Sequence, residues 1–260
     1  QGMHQCVWEP LFILNYETGE IEPWLGESFV ADQSLKTWTL KIRDGVTWAD
    51  GEAFDADDIV FTIQTLLNDE TQSLSDAANM QQWVDSIERM DGLTVQFNLK
   101  SPNPRFQLDH FSVKVWGGPI ILPQHIWQGK DPFTFTFYNR EKGWPFGTGA
   151  YKLVQATENE FTYDRRDTWW GSEAGFMEMP VPKRLVWIVS GTEENRSLLA
   201  ADGQLDSIMD ITLGAFEAIQ DMNPNIIAWR DQLPYAWPDP CPRQMSINHT
   251  VEPWNDPDMR

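Results

Sequence analysis

Apolar and polar residues alternate along several stretches of the chain, a pattern typical of strands with one buried face. Residues 36–42 alternate in this way and predict a half-buried strand. Residues 86–100 predict a hairpin, because Asp91 and Gly92 form a type I′ turn dipeptide ahead of a second alternating run. Another hairpin is predicted over residues 151–163.

Other segments show the spacing of helices or the continuous apolar run of a buried strand. Asp55 has the side chain of an N-cap, and apolar residues follow it at helical spacing as far as Leu67. Thr192 begins a second helix, which Gly203 closes. Residues 185–189 are continuously apolar, which predicts a central strand covered on both faces. Shorter strands are predicted over residues 208–211, 226–229 and 244–248. Strands and helices intermix, so the predicted fold class is α/β, or α+β with a mixed sheet.

Composition and charge narrow the classes of protein to which the chain can belong. It has 260 residues, of which 41% are hydrophobic, enough to bury a core in one large or two modest domains. Nineteen Lys and Arg residues against 39 Asp and Glu residues give a net charge of −20, which argues against a nucleic-acid partner. No stretch approaches the ~20 consecutive apolar residues of a membrane span.

The two ends of the chain bear on its processing, and the two cysteines on a disulfide. Residues 1–4 resemble no part of a signal peptide, and residues 255–260 carry no helix or strand pattern, so we expect a trimmed chain or a fragment. Cys6 and Cys241 could form a disulfide in an exported protein. Cys241 lies between two prolines, which restricts its geometry, and the pairing stays open.

Motifs for catalysis, phosphate binding and metal binding are missing from the sequence. Gly147-Thr148-Gly149 lacks the further residues of a phosphate-binding loop, and no Gly-x-Ser-x-Gly nucleophile elbow occurs. The four histidines are isolated from one another. We therefore predict no metal, no cofactor and no enzymatic activity.

The chain is rich in tryptophan, with 14 residues, several times the usual frequency. Trp38 and Trp187 fall in predicted strands and are expected in the core. Trp8, Trp116 and Trp237 fall in loop-like contexts rich in Pro and Gly, where an indole held on a rigid scaffold can stack on a ligand. Core packing remains the alternative for each of them.

Five segments follow one another in a recognisable order: 8–11 (Trp-Glu-Pro-Leu), 38–51 (from Trp-Thr-Leu-Lys to Ala-Asp-Gly), 147–153 (Gly-Thr-Gly-Ala-Tyr-Lys-Leu), 165–170 (Arg-Arg-Asp-Thr-Trp-Trp) and 203–206 (Gly-Gln-Leu-Asp). In content and order they resemble the family 5 solute-binding proteins of ABC importers, whose members bind oligopeptides, oligosaccharides or nickel. The resemblance implies a periplasmic-binding-protein-like class II lobe with a smaller inserted α+β domain. Residues 1–44 with 149–260 would form the core domain, and residues 45–148 the inserted one.

Members of the family are roughly twice this length and close two lobes on the ligand, so the resemblance implies that the second lobe is absent here. It also implies a monomeric substrate-binding component that delivers an oligosaccharide or oligopeptide to ABC permease subunits. The protein would be periplasmic or extracellular, or anchored as a lipoprotein. The wall of the site contributed by this chain is predicted to include Trp8, Trp83, Trp116, Tyr235 and Trp237. A secreted carbohydrate-active enzyme or carbohydrate-binding module is the alternative.

Overall fold

The computed structural model describes residues 6–113, 118–209, 211–236 and 246–259. The strands are β1 (Phe12–Leu14), β2 (Ile21–Pro23), β3 (Gly26–Ala31), β4 (Thr37–Ile42), β5 (Val84–Arg89), β6 (Thr94–Leu99), β7 (Ser112–Val113), β8 (Tyr151–Ala156), β9 (Glu160–Arg165) and β10 (Arg184–Ile188). The helices are α1 (Ala56–Leu67), α2 (Ala77–Trp83), α3 (Phe106–His110), α4 (Gln124–Trp127), α5 (Trp170–Glu173), α6 (Glu193–Ala201) and α7 (Leu213–Met222).

The largest described sheet has four antiparallel strands in the order β3-β4-β6-β5. Trp38 on β4 lies opposite Phe97 on β6, and both side chains are buried. Helix α1 packs against β5 and β6. The strand predicted over residues 36–42 and the hairpin predicted over residues 86–100 are both confirmed. The alternation of apolar and polar residues along these strands places the apolar side chains on the face of the sheet that α1 covers.

Helix α1 begins at the predicted N-cap. The Asp55 side chain accepts hydrogen bonds from the first turn, and the Asp58 carboxyl accepts one from the Asp55 backbone N–H. Asp58 is only 3% exposed and also accepts hydrogen bonds from Trp48 Nε1 (2.9 Å) and from the Gln124 backbone N–H (2.8 Å). Burial raises the pKa of this carboxyl. Asp58 therefore joins the helix to the segment at Trp48 and to the start of α4, which is 66 residues away in sequence.

Strand β10 lies at the edge of its sheet in the part of the chain that the structure describes, and the prediction of a central strand over residues 185–189 is wrong. In the described residues the sheet order is β10-β9-β8, all antiparallel. Leu185 and Trp187 are half-buried against the core, whereas Val186 and Ile188 point the other way and are 51% and 46% exposed. An unbroken apolar run does not by itself show that both faces of a strand are covered.

The third sheet is mixed, as the predicted class allows. Strand β1 pairs antiparallel with β2 and parallel with β7. Two features fix this region: Phe12 on β1 is 1% exposed, and its ring lies 6.3 Å from that of Phe29 on β3. The mixture of helices with mixed and antiparallel sheets confirms the predicted fold class.

Helices α6 and α7 form a pair joined by polar contacts. Thr192 caps α6 by accepting a hydrogen bond from the Asn195 backbone N–H, and Thr212 caps α7 by accepting one from that of Ala215. Gly203, with a φ of +71°, ends α6. The predicted helix from Thr192 to Gly203 is therefore confirmed. Within the described ranges, none of the helices is both long and apolar enough to cross a membrane.

Two predicted short strands are wrong. Ile208, Met209 and Ile211 are irregular, and Asp210 lies outside the described residues. Residues 226–229 are also irregular, and Ile227 and Trp229 in that run are 84% and 82% exposed. A short apolar run becomes a strand only where another strand offers hydrogen bonds, and none is paired with it in the part of the chain described. Of the strand predicted over 244–248, residues 246–248 are irregular and the others lie outside the described residues.

The division into a core domain (1–44 with 149–260) and an inserted domain (45–148) stays a prediction. The pairing of β4 with β6 crosses the predicted boundary at residue 44, since β4 ends at Ile42 and β6 begins at Thr94. A boundary between residues 44 and 45 would therefore divide the four-stranded sheet.

Candidate functional site

The segment Gly147-Thr148-Gly149 lies directly against the backbone of the first described residues. A Cβ atom added to Gly147 would lie 2.1 Å from the Val7 carbonyl oxygen, and one added to Gly149 would lie 2.6 Å from that of Cys6. The Gly149 N–H donates to the Val7 carbonyl at 2.9 Å. Only glycine permits this approach, so the segment holds the chain on either side of Trp8 in place.

The carboxyl of Glu9 is held by two tryptophans. Its Oε1 accepts a hydrogen bond from Trp24 Nε1 at 3.1 Å, and its Oε2 accepts one from Trp170 Nε1 at 2.7 Å. Burial raises the pKa of Glu9, while the indole donors act in the opposite direction by favouring the carboxylate. Glu9 thus connects the N-terminal segment with the β2–β3 connection and with α5.

The indoles around Glu9 are themselves packed. The Trp170 ring stacks on Phe176 with centroids 5.2 Å apart, and the Trp24 ring meets the same phenyl edge-on at 5.3 Å. The guanidinium of Arg43 lies 4.1 Å from the centroid of Phe176, and its Nε donates to the Trp24 carbonyl. These contacts fix both indole donors in the orientation that Glu9 requires.

Arg166 joins the same region from the end of β9. Its Nη1 donates to the Gly149 carbonyl at 3.2 Å and its Nη2 to the Ala49 carbonyl at 3.1 Å. Burial lowers the pKa of this guanidinium, and the charges of Glu9, Glu173 and Asp50 oppose that effect. The side chain thereby links the loop after Trp48 to the segment that enters β8.

Beside this region, a cluster of aromatic rings organises the long segment after α4. Neighbouring rings in the cluster have centroids 4.9–6.5 Å apart. They belong to Trp127, Phe135, Phe137, Trp144 and Phe146. His125 stacks on Phe146, and its Nε2 lies 2.8 Å from Asp50 Oδ2. The cluster orders a segment that contains little regular secondary structure.

The predicted site residues lie on separate elements. Trp8 is half-buried, with its Cδ1 atom 3.1 Å from the position of a Cβ on Gly147. Trp83 is half-buried at the end of α2, and its carbonyl accepts a hydrogen bond from Lys100. Tyr235 is half-buried, with its ring 4.8 Å from that of Phe216 on α7. Trp116 and Trp237 lie outside the described residues. A common ligand-binding role for these five residues stays a prediction.

The pairing of Cys6 with Cys241 stays open, because Cys241 lies outside the described residues. Cys6 is half-buried, and burial raises the pKa of its thiol, while a hydrogen bond donated by the Trp187 side chain acts the other way. In the ranges that the structure describes, no group of three or more His, Cys, Asp or Glu side chains is arranged to hold a metal ion.

Sequence reasoning missed Glu9 and Arg166. Both lie in segments that carry the family resemblance, 8–11 and 165–170, yet neither forms a motif by itself. Their partners are far away: Trp170 is 161 residues from Glu9, and Ala49 is 117 residues from Arg166. The one available signal is an acidic residue between Trp8 and Pro10 in a largely apolar stretch, where a charge needs hydrogen-bonding partners.

Residues 20–260 match the family profile described as "Bacterial extracellular solute-binding proteins, family 5 Middle". The chain belongs to this family. The resemblance found in the sequence is therefore confirmed. The match extends over most of the chain and does not depend on one motif. Contacts such as those of Glu9 likewise join segments that are distant in sequence.

Individual relatives include binding proteins for several solutes. The chain is 24% identical to the periplasmic alpha-galactoside-binding protein of Rhizobium meliloti (strain 1021), matching over 100% of this chain and 38% of that protein. It is 28% identical to the nickel-binding periplasmic protein of Escherichia coli (strain K12), over 77% of this chain and 35% of that protein.

Among solved structures, the chain is similar to the mannohexaose-bound periplasmic oligopeptide-binding protein of an oligopeptide ABC transporter from Thermotoga maritima. The TM-score is 0.72 at 27% identity, covering 88% of this chain and 40% of that chain. This family 5 chain therefore spans about two fifths of the length of the relatives it matches. All three relatives are solute-binding proteins.

Proposed function

We propose that this chain is part of the substrate-binding component of an ABC importer, which captures an oligosaccharide or an oligopeptide outside the cytoplasmic membrane and delivers it to the permease subunits. The observation that carries the proposal is the match of residues 20–260 to the family 5 profile. The likeness to an oligopeptide-binding protein that holds mannohexaose supports both solute classes.

In this proposal the ligand is held between two lobes, and this chain supplies one of them. The coverage of about two fifths of each relative supports that division. A ligand that contacts both lobes favours the closed state, because the open state offers only part of its contacts. The permease would then recognise the closed state.

Within the lobe, we propose that the smaller domain includes the whole sheet β3-β4-β6-β5, so that it begins near Leu25 instead of at residue 45. The support is the continuous pairing of β3 with β4 and of β4 with β6. The core domain would then contain β8, β9, β10 and the helix pair α6 and α7.

The proposed wall of the solute site consists of the aromatic residues Trp8, Trp83, Trp116, Tyr235 and Trp237. Support comes from Trp8 and Tyr235, whose rings are both half-buried. The backbone beside Trp8 is held by its close approach to Gly147 and Gly149, and the Tyr235 ring packs against Phe216. A partly exposed ring on a rigid support can stack on a sugar face or on an apolar peptide side chain. The abundance of tryptophan favours an oligosaccharide slightly.

The remaining parts of the proposal follow from the same family membership. The protein would bind its solute without converting it, act as a monomer, and function in the periplasm or outside the cell. Anchoring as a lipoprotein belongs to the same proposal. Periplasmic relatives that bind alpha-galactosides and nickel support the location.

Calorimetric titration of the full-length protein with manno-oligosaccharides, alpha-galactosides and oligopeptides tests the proposal. We expect saturable binding of one class, and about a ten-fold loss of affinity for Trp8→Ala, since a stacked ring contributes roughly 0.5–1.5 kcal/mol beyond the area that it buries. Phe133→Ala, at a 55% exposed aromatic on the surface, serves as the control and should bind normally. Failure of every class to bind, or turnover of a bound oligosaccharide, would contradict the proposal.

A further inference from the structure

A cavity of about 400 Å³ opens beside the end of β9 and is lined by Arg165, Arg166, Asp167, Met179 and Lys183. Three of these five side chains are cationic, and one is anionic. The whole chain carries a net charge of −20, so the positive excess of this lining is opposite in sign to the charge of the chain. Its volume lies in the range of small-molecule sites.

The two arginines are held by neutral groups. Arg165 Nη1 donates to the carbonyls of Pro180 and Val181, and Arg166 donates to those of Gly149 and Ala49. A carbonyl oxygen satisfies an N–H group without forming an ion pair with the guanidinium. The charges of Glu9, Glu173 and Asp50 act on Arg166, but in the described ranges no carboxylate forms an ion pair with either arginine. Both side chains are half-buried, so water screens these charges less than it would at the surface.

Lys183 adds a third positive charge to the lining. The Arg165 backbone N–H donates to the Lys183 carbonyl at 2.9 Å, which fixes the two residues side by side. The Lys183 side chain is exposed, and no carboxylate in the described ranges forms an ion pair with it. Asp167 is therefore the one acidic group in the lining.

We propose that this cavity binds an oxyanion of a small molecule, either a carboxylate or a phosphate. The anchored guanidinium groups present fixed N–H donors, whose planar geometry suits the oxygens of such a group. Lys183 supplies a mobile charge that closes over the bound anion. The site is independent of the proposed solute wall, because none of its lining residues belongs to that wall.

The test is a titration of the full-length protein with inorganic phosphate and, separately, with succinate, followed by calorimetry at low ionic strength. We expect millimolar or tighter binding of at least one of them, and the tighter of the two identifies the source of the oxyanion. Lys183→Gln should weaken binding about two- to five-fold, the range expected for one exposed charge. Asp167→Asn should strengthen it by a similar factor.

Lys36→Gln is the matched control, because Lys36 is an exposed lysine in the turn between β3 and β4 and should leave the affinity unchanged. All three positions are exposed, so the variants should fold, and thermal unfolding verifies this. The proposal would be overturned if neither phosphate nor succinate bound at ~10 mM. It would also be overturned if Lys183→Gln and Lys36→Gln changed the affinity equally. Neither outcome affects the binding of an oligosaccharide or oligopeptide, so failure here is distinguishable from failure of the proposed function.

Discussion

Gly147→Ala is expected to lower the free energy of unfolding by about 3 kcal/mol or more, because the added methyl cannot be accommodated by a side-chain movement. The atoms that it would meet are the backbone oxygen and carbon of Val7, at 2.1 and 2.8 Å. Relief requires the N-terminal segment to move away, which would also shift Trp8 and the hydrogen bond from Gly149 to Val7. Urea or thermal unfolding followed by circular dichroism measures the loss.

Gly214→Ala is the matched control for this prediction. Gly214 lies in α7, has ordinary backbone angles and has no atom within 4 Å of the added Cβ. Alanine has the higher helix propensity, so this variant should match the wild type or exceed its stability by up to about 1 kcal/mol. If Gly147→Ala were as stable as Gly214→Ala, the close approach between residues 147 and 7 would be disproved.

Glu9→Ala should destabilise the protein by about 2–4 kcal/mol, because it leaves the indole N–H groups of Trp24 and Trp170 without their acceptor. Tryptophan fluorescence should change as well, since the carboxyl lies at both indoles. Glu158→Ala is the control: Glu158 is exposed at the turn of the β8–β9 hairpin, and its loss should change stability by less than about 0.5 kcal/mol.

The size of the Glu9→Ala effect should depend on pH. Burial raises the pKa of the Glu9 carboxyl in the folded protein. In the unfolded chain the same carboxyl has a pKa of about 4.3. Between these two pKa values the folded state binds more protons, so the stability of the wild type falls as the pH rises through the folded-state pKa. The alanine variant lacks this term.

The difference in unfolding free energy between wild type and Glu9→Ala should therefore be greatest below about pH 4 and should decrease as the pH rises. Unfolding measured from about pH 4 to pH 8 gives the sign directly. A difference that grows with pH would mean that the two indoles stabilise the carboxylate more than burial opposes it.

The parts of the fold that the sequence predicts correctly are those governed by local signals. The Asp91-Gly92 turn and the alternation after it determine the β5–β6 hairpin, and Asp55 determines the start of α1 through contacts within three residues. The sequence predicts strand β10 at the centre of a sheet, which is wrong for the described sheet, because the position of a strand depends on partners elsewhere in the chain. Its apolar sequence does not distinguish an edge from a centre.

The candidate site shows the same division more strongly. The sequence identifies Trp8 as a residue in an unusual context, and the structure places it beside Gly147. The partners of Glu9 and Arg166 come from segments more than a hundred residues away, and no local spacing encodes such contacts. The family resemblance succeeds where spacing fails, because the order of whole segments reflects the complete fold.

We propose above that this chain forms one wall of a two-lobed solute site. The most direct test of this proposal is calorimetry of the isolated 260-residue chain, checked for cooperative unfolding, with the ligand that the full-length protein binds. If the other lobe supplies the remaining contacts, the isolated chain should bind at least about 100-fold more weakly, a loss of roughly 2.7 kcal/mol. Equal affinity of the two proteins would show that the site is complete within residues 1–260, and the account would be contradicted.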